Sequence, residues 1–236
     1  MPNTPEFRLT ANRLLAALPS RDRAHLVAGC ENVELAIADV LVQRGARLRH
    51  VHFPTAGIIS IVASVERTTG FEIGLVGDEG MLGTSLVLGV SASRSQALVQ
   101  GTGRSLRMEA AQFRRELRRS AALQGVLHRY LYVRMLQLAQ AAGCAKFHRV
   151  EARLARWLLM TQDRAHSSRF QITHEALALM LGVRRAGVTN AASALQRQGL
   201  IRYRRGDIAI LDRPGLRRAA CACYRRDRES YAQMLG

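Results

Sequence analysis

The segment Arg184-Arg185-Ala186-Gly187-Val188-Thr189-Asn190 carries the most specific recognition chemistry in this sequence. Arginine and asparagine offer paired hydrogen-bonding groups that match the major-groove edges of guanine and adenine. Such groups read a duplex only when a helix presents them together, and the flanking residues read as a frame for one. Thr173 can cap a helix start, and Glu175 stands in its first turn, where the helix dipole favours an anion. Ala178 is small where two helices must cross closely. Gly182 supplies a left-handed turn, and Val188 is the apolar anchor facing back onto the first helix. The pattern predicts a helix-turn-helix whose second helix turns Arg184, Arg185, Ala186, Gly187, Thr189 and Asn190 outward.

The residues that follow extend this frame. Gly199 ends the second helix, Leu200 to Tyr203 read as a short strand, Arg205-Gly206-Asp207 as a tight turn, and Ile208 to Leu211 as the returning strand. A helix-turn-helix followed by a basic hairpin is a winged helix, and Arg202, Arg204 and Arg205 stand where a wing meets phosphates. An isolated helical hairpin with a solvated basic face is the plainer alternative, and the wing in register argues against it.

Charge points to the same partner. The chain has 35 Lys+Arg against 18 Asp+Glu, a formal net charge of +17, and Lys146 is its only lysine. Residues 146–236 hold 18 basic and 7 acidic groups, so the excess concentrates around the motif. Neutralising phosphates releases condensed counterions, so such a surface binds nucleic acid before any base is read. Charge alone leaves a non-specific nucleic-acid-binding or architectural protein as the alternative. Arg185 and Asn190, set for base edges, favour sequence-specific double-stranded DNA over RNA.

No apolar run approaches the roughly 20 residues that span a bilayer, so no membrane association is expected. Met1 to Glu6 lack a basic region followed by an apolar stretch, which argues against a secretory leader and for a cytoplasmic protein. The sequence shows no Ser-His-Asp, Cys-His or paired-carboxylate constellation and no phosphate-binding glycine loop, so no enzyme is expected.

The elements that must carry the winged helix divide into three parts. Residues 1–121 alternate short strands with turn residues: Val33 to Ile37, Val40 to Gln43, Val51 to Phe53, Gly57 to Val65, Phe71 to Leu75 and Gln96 to Thr102. Gly45, Pro54, Gly70, Gly74, Gly77, Gly80 and Gly89 punctuate them, which suggests a small β-barrel or sandwich behind two short N-terminal helices. Residues 122–145 read as one long helix with Leu123, Leu127, Leu131 and Leu138 at helical spacing and a broader apolar surface than one core needs. The expectation is a dimerisation helix. Residues 146–236 form the winged helix-turn-helix and a helical tail from Pro214 to Leu235 that reads as a solvated surface helix.

Over roughly residues 12–212 the chain resembles the Crp/Fnr superfamily of bacterial transcription regulators. The resemblance is carried by Val150-Glu151-Ala152-Arg153-Leu154-Ala155-Arg156-Trp157-Leu158-Leu159, Leu181-Gly182-Val183-Arg184-Arg185 and Leu195-Gln196-Arg197-Gln198-Gly199-Leu200-Ile201. It implies an α+β fold: an N-terminal β-roll (double-stranded β-barrel) of the cyclic-nucleotide-binding type, a long dimerisation helix and a C-terminal winged helix-turn-helix. It also implies a homodimer on a palindromic operator that contacts or blocks RNA polymerase.

The family's effector chemistry carries over poorly. In members that bind cyclic AMP, a Gly-Glu pair holds the ribose and an Arg-Ser pair the cyclic phosphate. Here Gly83-Thr84 and Arg94-Ser95 fill those slots, a candidate ligand pocket. Arg94 offers the fork a phosphate wants, but Thr84 lacks the carboxylate, and Leu138-Ala139 replace the Thr-Ser pair that meets adenine. Cyclic AMP is therefore not the expected ligand, and the effector stays unknown. An iron–sulfur cluster is not expected either, because only Cys30 precedes Cys144. Cys221-Ala222-Cys223 has no second cysteine or histidine pair near it in sequence, so the expectation is small buried cysteines and no metal.

Overall fold

The computed structural model describes residues 12–64 and 70–236. Val65, the end of one expected strand, and residues 1–11, with the reading against a leader, lie outside the described residues. The molecule falls into two compact units: Met1–Ile61, Val76–Met135 and Tyr231–Gly236 form one, and Val62–Leu75 and Leu136–Ser230 the other.

The first unit opens with helices α1 (Arg13–Ala16) and α2 (Ser20–Ala28). Asn12 is wholly buried and caps α1, accepting from Leu15 N while its amide donates to the carbonyls of Pro54 and Gly80. Strands β1 (Glu31–Leu35), β2 (Val40–Val42), β3 (His50–Ala63), β4 (Phe71–Val76) and β5 (Gln96–Glu109) make a sheet in the order β1-β5-β3-β4, with β2 also on β5. Among the described residues this is an open sheet of the roll type, not a closed barrel. β1 pairs antiparallel with β5, and the facing residues Glu31/Arg107 and Glu34/Arg104 form ion pairs at 2.6 and 2.9 Å.

Two expected strands, Val51 to Phe53 and Gly57 to Val65, are one continuous strand. Pro54 does not break it, and Gly57 within it takes a φ of +89°. β5 is twice the expected length for a related reason. Gly103 lets its backbone approach β3 so closely that an added Cβ would lie 2.2 Å from the Ala56 carbonyl oxygen.

After β5 come α3 (Ala110–Arg119) and the long α4 (Ala121–Phe147). Leu123, Val126, Leu127, Tyr130 and Val133 are buried. Their spacing is the stripe of one helix face. Leu123, Val126, Leu127 and Tyr130 pack with Leu14, Phe53, Leu86 and Phe113 into the core of this unit. Tyr130 Oη accepts from Met81 N at 3.2 Å, so the one polar atom of the largest core side chain is satisfied.

The second unit holds α5 (Val150–Ala165), β6 (Arg169–Gln171), α6 (His174–Leu181), α7 (Arg185–Arg197), β7 (Ile201–Arg204), β8 (Asp207–Ile210), α8 (Arg213–Ala219) and the first part of α9 (Cys223–Leu235). Its core joins Leu154 and Leu158 of α5 to Leu177, Val188, Leu195, Ile201, Ile208 and Leu216. Strand β6, which the sequence reading missed, adds to the wing in the order β6-β8-β7. Trp157, the only tryptophan, is buried edge-on to Phe170 of β6 at 6.3 Å, and its indole N–H donates to Glu72 at 3.0 Å. The tail is two helices and not a solvated one. Cys223, Tyr224 and Asp227 are buried, and Asp227 pairs with Arg156 of α5 at 2.6 Å.

Replacing Gly103 by alanine should destabilise the first unit at the upper end of the roughly 1–3 kcal/mol that overpacking costs. Its obstacle is backbone, which cannot swing aside. Gly101→Ala, whose new methyl comes no closer than 3.4 Å to its nearest neighbour, the Ile58 side chain, should leave the unfolding midpoint nearly unchanged. Urea titrations of both variants, followed by circular dichroism, make the comparison.

Candidate nucleic-acid interface

The recognition surface is set by one turn. Thr173 caps α6, its hydroxyl accepting from Ala176 N at 3.1 Å. Gly182 ends α6 at φ +61°, ψ +43°, and Val183 N donates back to the Ala178 carbonyl at 3.0 Å. A side chain would strain this conformation. The Arg153 guanidinium also donates to the Leu181 carbonyl, so the helix end is satisfied from α5. Chain reversal at Gly182 brings α7 back with Val188 wholly buried beside Leu177, Ala178 and Leu181.

Burying Val188, Ala191, Ala192 and Leu195 leaves the opposite face of α7 outward. Arg184, Arg185, Ala186, Thr189 and Asn190 are exposed, and Gly187 is half-buried. Arg185 is loosely held by Glu175, 3.4 Å away, with both side chains largely in solvent. Such a pair is worth well under about 1 kcal/mol, so a base edge or phosphate can take the guanidinium from it.

The wing carries Arg202, Arg204 and Arg205, all exposed. Arg205 at φ +49° and Gly206 at φ +90° are the two central residues of the turn joining β7 to β8. Two left-handed residues in succession match the twist of a tight hairpin. Arg204 faces Asp207 across the ladder, and Arg202 faces Ala209.

Two residues that the sequence reading passed over tie the wing to α6. His174 stacks on Tyr203, with ring centroids 4.4 Å apart and planes 10° from parallel. Tyr203 Oη donates to the Ile172 carbonyl at 3.0 Å, and Tyr203 N donates to Gln196 at 2.7 Å. His174 Nδ1 lies 3.1 Å from Thr189 Oγ1, whose hydroxyl donates to the Arg185 carbonyl. This pairing is satisfied when Nδ1 carries the proton. Burial, and then the charge of Arg185, push the His174 pKa down, which keeps the ring neutral. The only sequence signal was an aromatic at a wing position and a histidine beside a cap, too common to single out.

The candidate effector residues are less organised. Gly83, at φ +101°, starts the single helical turn Thr84–Leu86. Arg94 is exposed, and its neighbours Ser93 and Ser95 bond to each other in a local turn. The dimer-helix residues divide in two. Leu123 and Leu127 are spent inside the first unit, Leu131 is half-buried and Leu138 is 43% exposed. An outward stripe instead runs through Tyr132, Met135, Leu138, Ala139 and Ala142.

The fold also gathers cysteines that the sequence keeps far apart. Cys144 and His148, at the end of α4, meet Cys221 and Cys223, with all four ligand atoms within 4.8 Å of one another. The hydrogen bond from Cys221 holds the Cys144 thiol well below its ordinary pKa. That bond from the other side, together with burial, pushes Cys221 up.

Residues 152–219 match the Crp-like helix-turn-helix domain family. The chain carries a Crp-like helix-turn-helix domain over these residues. Solved structures extend the likeness beyond this Crp-like domain. FixK2 from Bradyrhizobium japonicum superposes with a TM-score of 0.69 at 12% identity, over 82% of this chain and 98% of its own. The c-di-GMP responsive global regulator CLP of Xanthomonas campestris gives 0.67 at 14%, over 82% and 100%. A CRP-family transcriptional regulator from Thermus thermophilus gives 0.66 at 19%, over 80% and 96%. At such identities the likeness establishes a shared fold. No curated protein sequence matches the chain.

Arg185→Ala should cost about 1–3 kcal/mol and relax preference at one base position, whereas Arg204→Ala should weaken all sequences alike and lower the salt slope by about 1. Binding-site selection with wild-type and both variants checks this. An unchanged selected motif in Arg185→Ala would remove α7 from the groove.

Proposed function

We propose that the protein is a sequence-specific transcription regulator that binds double-stranded DNA as a homodimer. The outward face of α7, which pairs exposed Arg185 and Asn190 with a basic wing anchored by the His174–Tyr203 stack, carries this reading. An architectural protein needs the charge but not a buried frame that aims particular side chains at base edges. The relatives that share the fold are regulators by name, and the Crp-like domain is the part that matches in sequence.

Two recognition helices related by a dimer axis read half-sites about one helical turn apart, so the operator is a palindrome. Ala186 stands where superfamily members with the familiar site keep a glutamate, and without that carboxylate to accept from cytosine the half-site core differs. RNA polymerase is the partner through which such a dimer acts, by contact or by occlusion, and its compartment is the cytoplasm. No helix among the described residues is long and apolar enough to cross a membrane. We propose no catalytic role.

The dimer seam is the stripe of α4 that the monomer leaves outward. Met135 is 66% exposed, and it lies one turn from Leu138. Leu123 and Leu127 are committed to the core and cannot face a partner. If an effector enters the sheet domain, cyclic AMP is a poor fit. Thr84 cannot accept from two ribose hydroxyls, and Leu138-Ala139 offer adenine no hydrogen bond.

Burying an apolar side chain contributes roughly 1.5–3 kcal/mol. Met135→Asp combined with Leu138→Asp should therefore weaken dimerisation by about 100-fold or more. Sedimentation should then show monomers, with operator affinity falling in step. A dimer mass that survives both changes, in a protein that still melts cooperatively, rejects this seam.

A further inference from the structure

The cluster at the end of α4 has the composition and spacing of a closed metal site. Cys144 Sγ and Cys221 Sγ are 3.6 Å apart, and Cys223 Sγ is 3.5 Å from His148 Nδ1. All four cysteines of the chain are free thiols, so the short sulfur contact is not a disulfide. A tetrahedral zinc ion with bonds of about 2.3 Å to sulfur and 2.0–2.1 Å to nitrogen sets neighbouring sulfurs roughly 3.8 Å apart and sulfur to nitrogen roughly 3.5 Å. These two edges match that figure within a few tenths of an ångström, and the remaining ones, all within 4.8 Å, close to it with small side-chain shifts.

We propose that Cys144, His148, Cys221 and Cys223 bind one zinc ion in a Cys3His site. The ligands come as two short-spaced pairs, an i,i+4 pair closing α4 and a Cys-x-Cys pair opening α9. The first pair is registered by the bond from His148 N to the Cys144 carbonyl at 3.2 Å, the second by Cys221 N to the Ala152 carbonyl at 3.4 Å. Three cysteines are buried and the histidine half-buried, which leaves no open coordination position of the kind a catalytic metal keeps. A polynuclear iron–sulfur cluster is a poorer fit, because its ligand sulfurs bind different irons and stand farther apart.

The surroundings favour bound thiolates. Gln140 Nε2 donates to Cys223 Sγ at 2.8 Å, the outer-sphere bond that orients a ligand and stabilises its charge. Three thiolates and a neutral imidazole around a dication leave one net negative charge. The guanidinium of Arg156, bonded to Asp227 at 2.6 Å, also acts electrostatically on Cys144 and Cys221. Binding takes the sulfurs as thiolates, and whatever protons the thiols carry pass to solvent. With no change of oxidation state, the ion clips the start of α9 to the α4–α5 corner. This site does not depend on the DNA-binding reading and stands or falls apart from it.

Full-length protein, purified under reductant, is loaded with zinc, freed of excess and assayed for metal per chain. Cobalt(II) is then exchanged in as a spectroscopic probe. The expected result is one ion per chain, the visible bands of tetrahedral cobalt with thiolate charge transfer, and a higher melting temperature with metal than with chelator. Cys221→Ser and Cys223→Ser together should abolish the bands, Cys30→Ser should leave them intact, and His148→Cys should keep the ion with stronger charge transfer. Folded wild-type protein that takes up no zinc overturns the proposal, whatever the variants do. So does cobalt of octahedral spectrum, or a Cys144–Cys221 disulfide that persists under reductant when zinc is offered.

Discussion

The C-terminal unit depends on one backbone constraint, the left-handed residue at Gly182. From it follow the return of α7 across α6, the burial of Val188, and the outward aim of every residue on the opposite face. The turn is over-determined, since Val183 N bonds back into α6 while Arg153 reaches the last carbonyl from α5. A recognition helix must not wander by an ångström, because hydrogen bonds to base edges tolerate little error in distance or angle. The rigidity is supplied from beneath, by buried aliphatic contacts, with Thr189 on the outward face adding a bond to His174.

Much of this was legible because it is local. A cap, a left-handed glycine and an apolar anchor lie within twenty residues, and short-range rules determine how they fold. The wing was equally readable, with Arg205-Gly206 marking its turn. What escaped was non-local or ambiguous. Pro54 looked like a strand break, but the strand runs through it, and Gly57, at φ +89°, lies against the backbone of Gly101 and Gly103 in β5. Strand β6 is three residues long and exists only because β8 offers it an edge. The cysteine–histidine cluster was invisible for the same reason. Its halves are 73 residues apart at the nearest, and they meet where α8 packs on α5 and Cys221 N bonds to the Ala152 carbonyl.

Helix α4 illustrates how far a pattern goes. Its apolar breadth signalled two packing surfaces, but not which leucines served which. The structure assigns Leu123 and Leu127 to the sheet core and leaves the stripe around Met135 and Leu138 outward. Helical periodicity states that a face is apolar, whereas the identity of the surface it meets depends on where the chain has placed the other elements.

The lone tryptophan has a practical consequence. Trp157 sits in the core of the second unit, edge-on to Phe170 and bonded to Glu72, and the first unit has no indole at all. Tryptophan emission, excited at the red edge where tyrosine does not absorb, therefore watches the winged-helix unit alone, while far-ultraviolet dichroism sums over both. Recorded together on unmodified protein, the two signals resolve whether the units melt as one or in sequence. No label is needed.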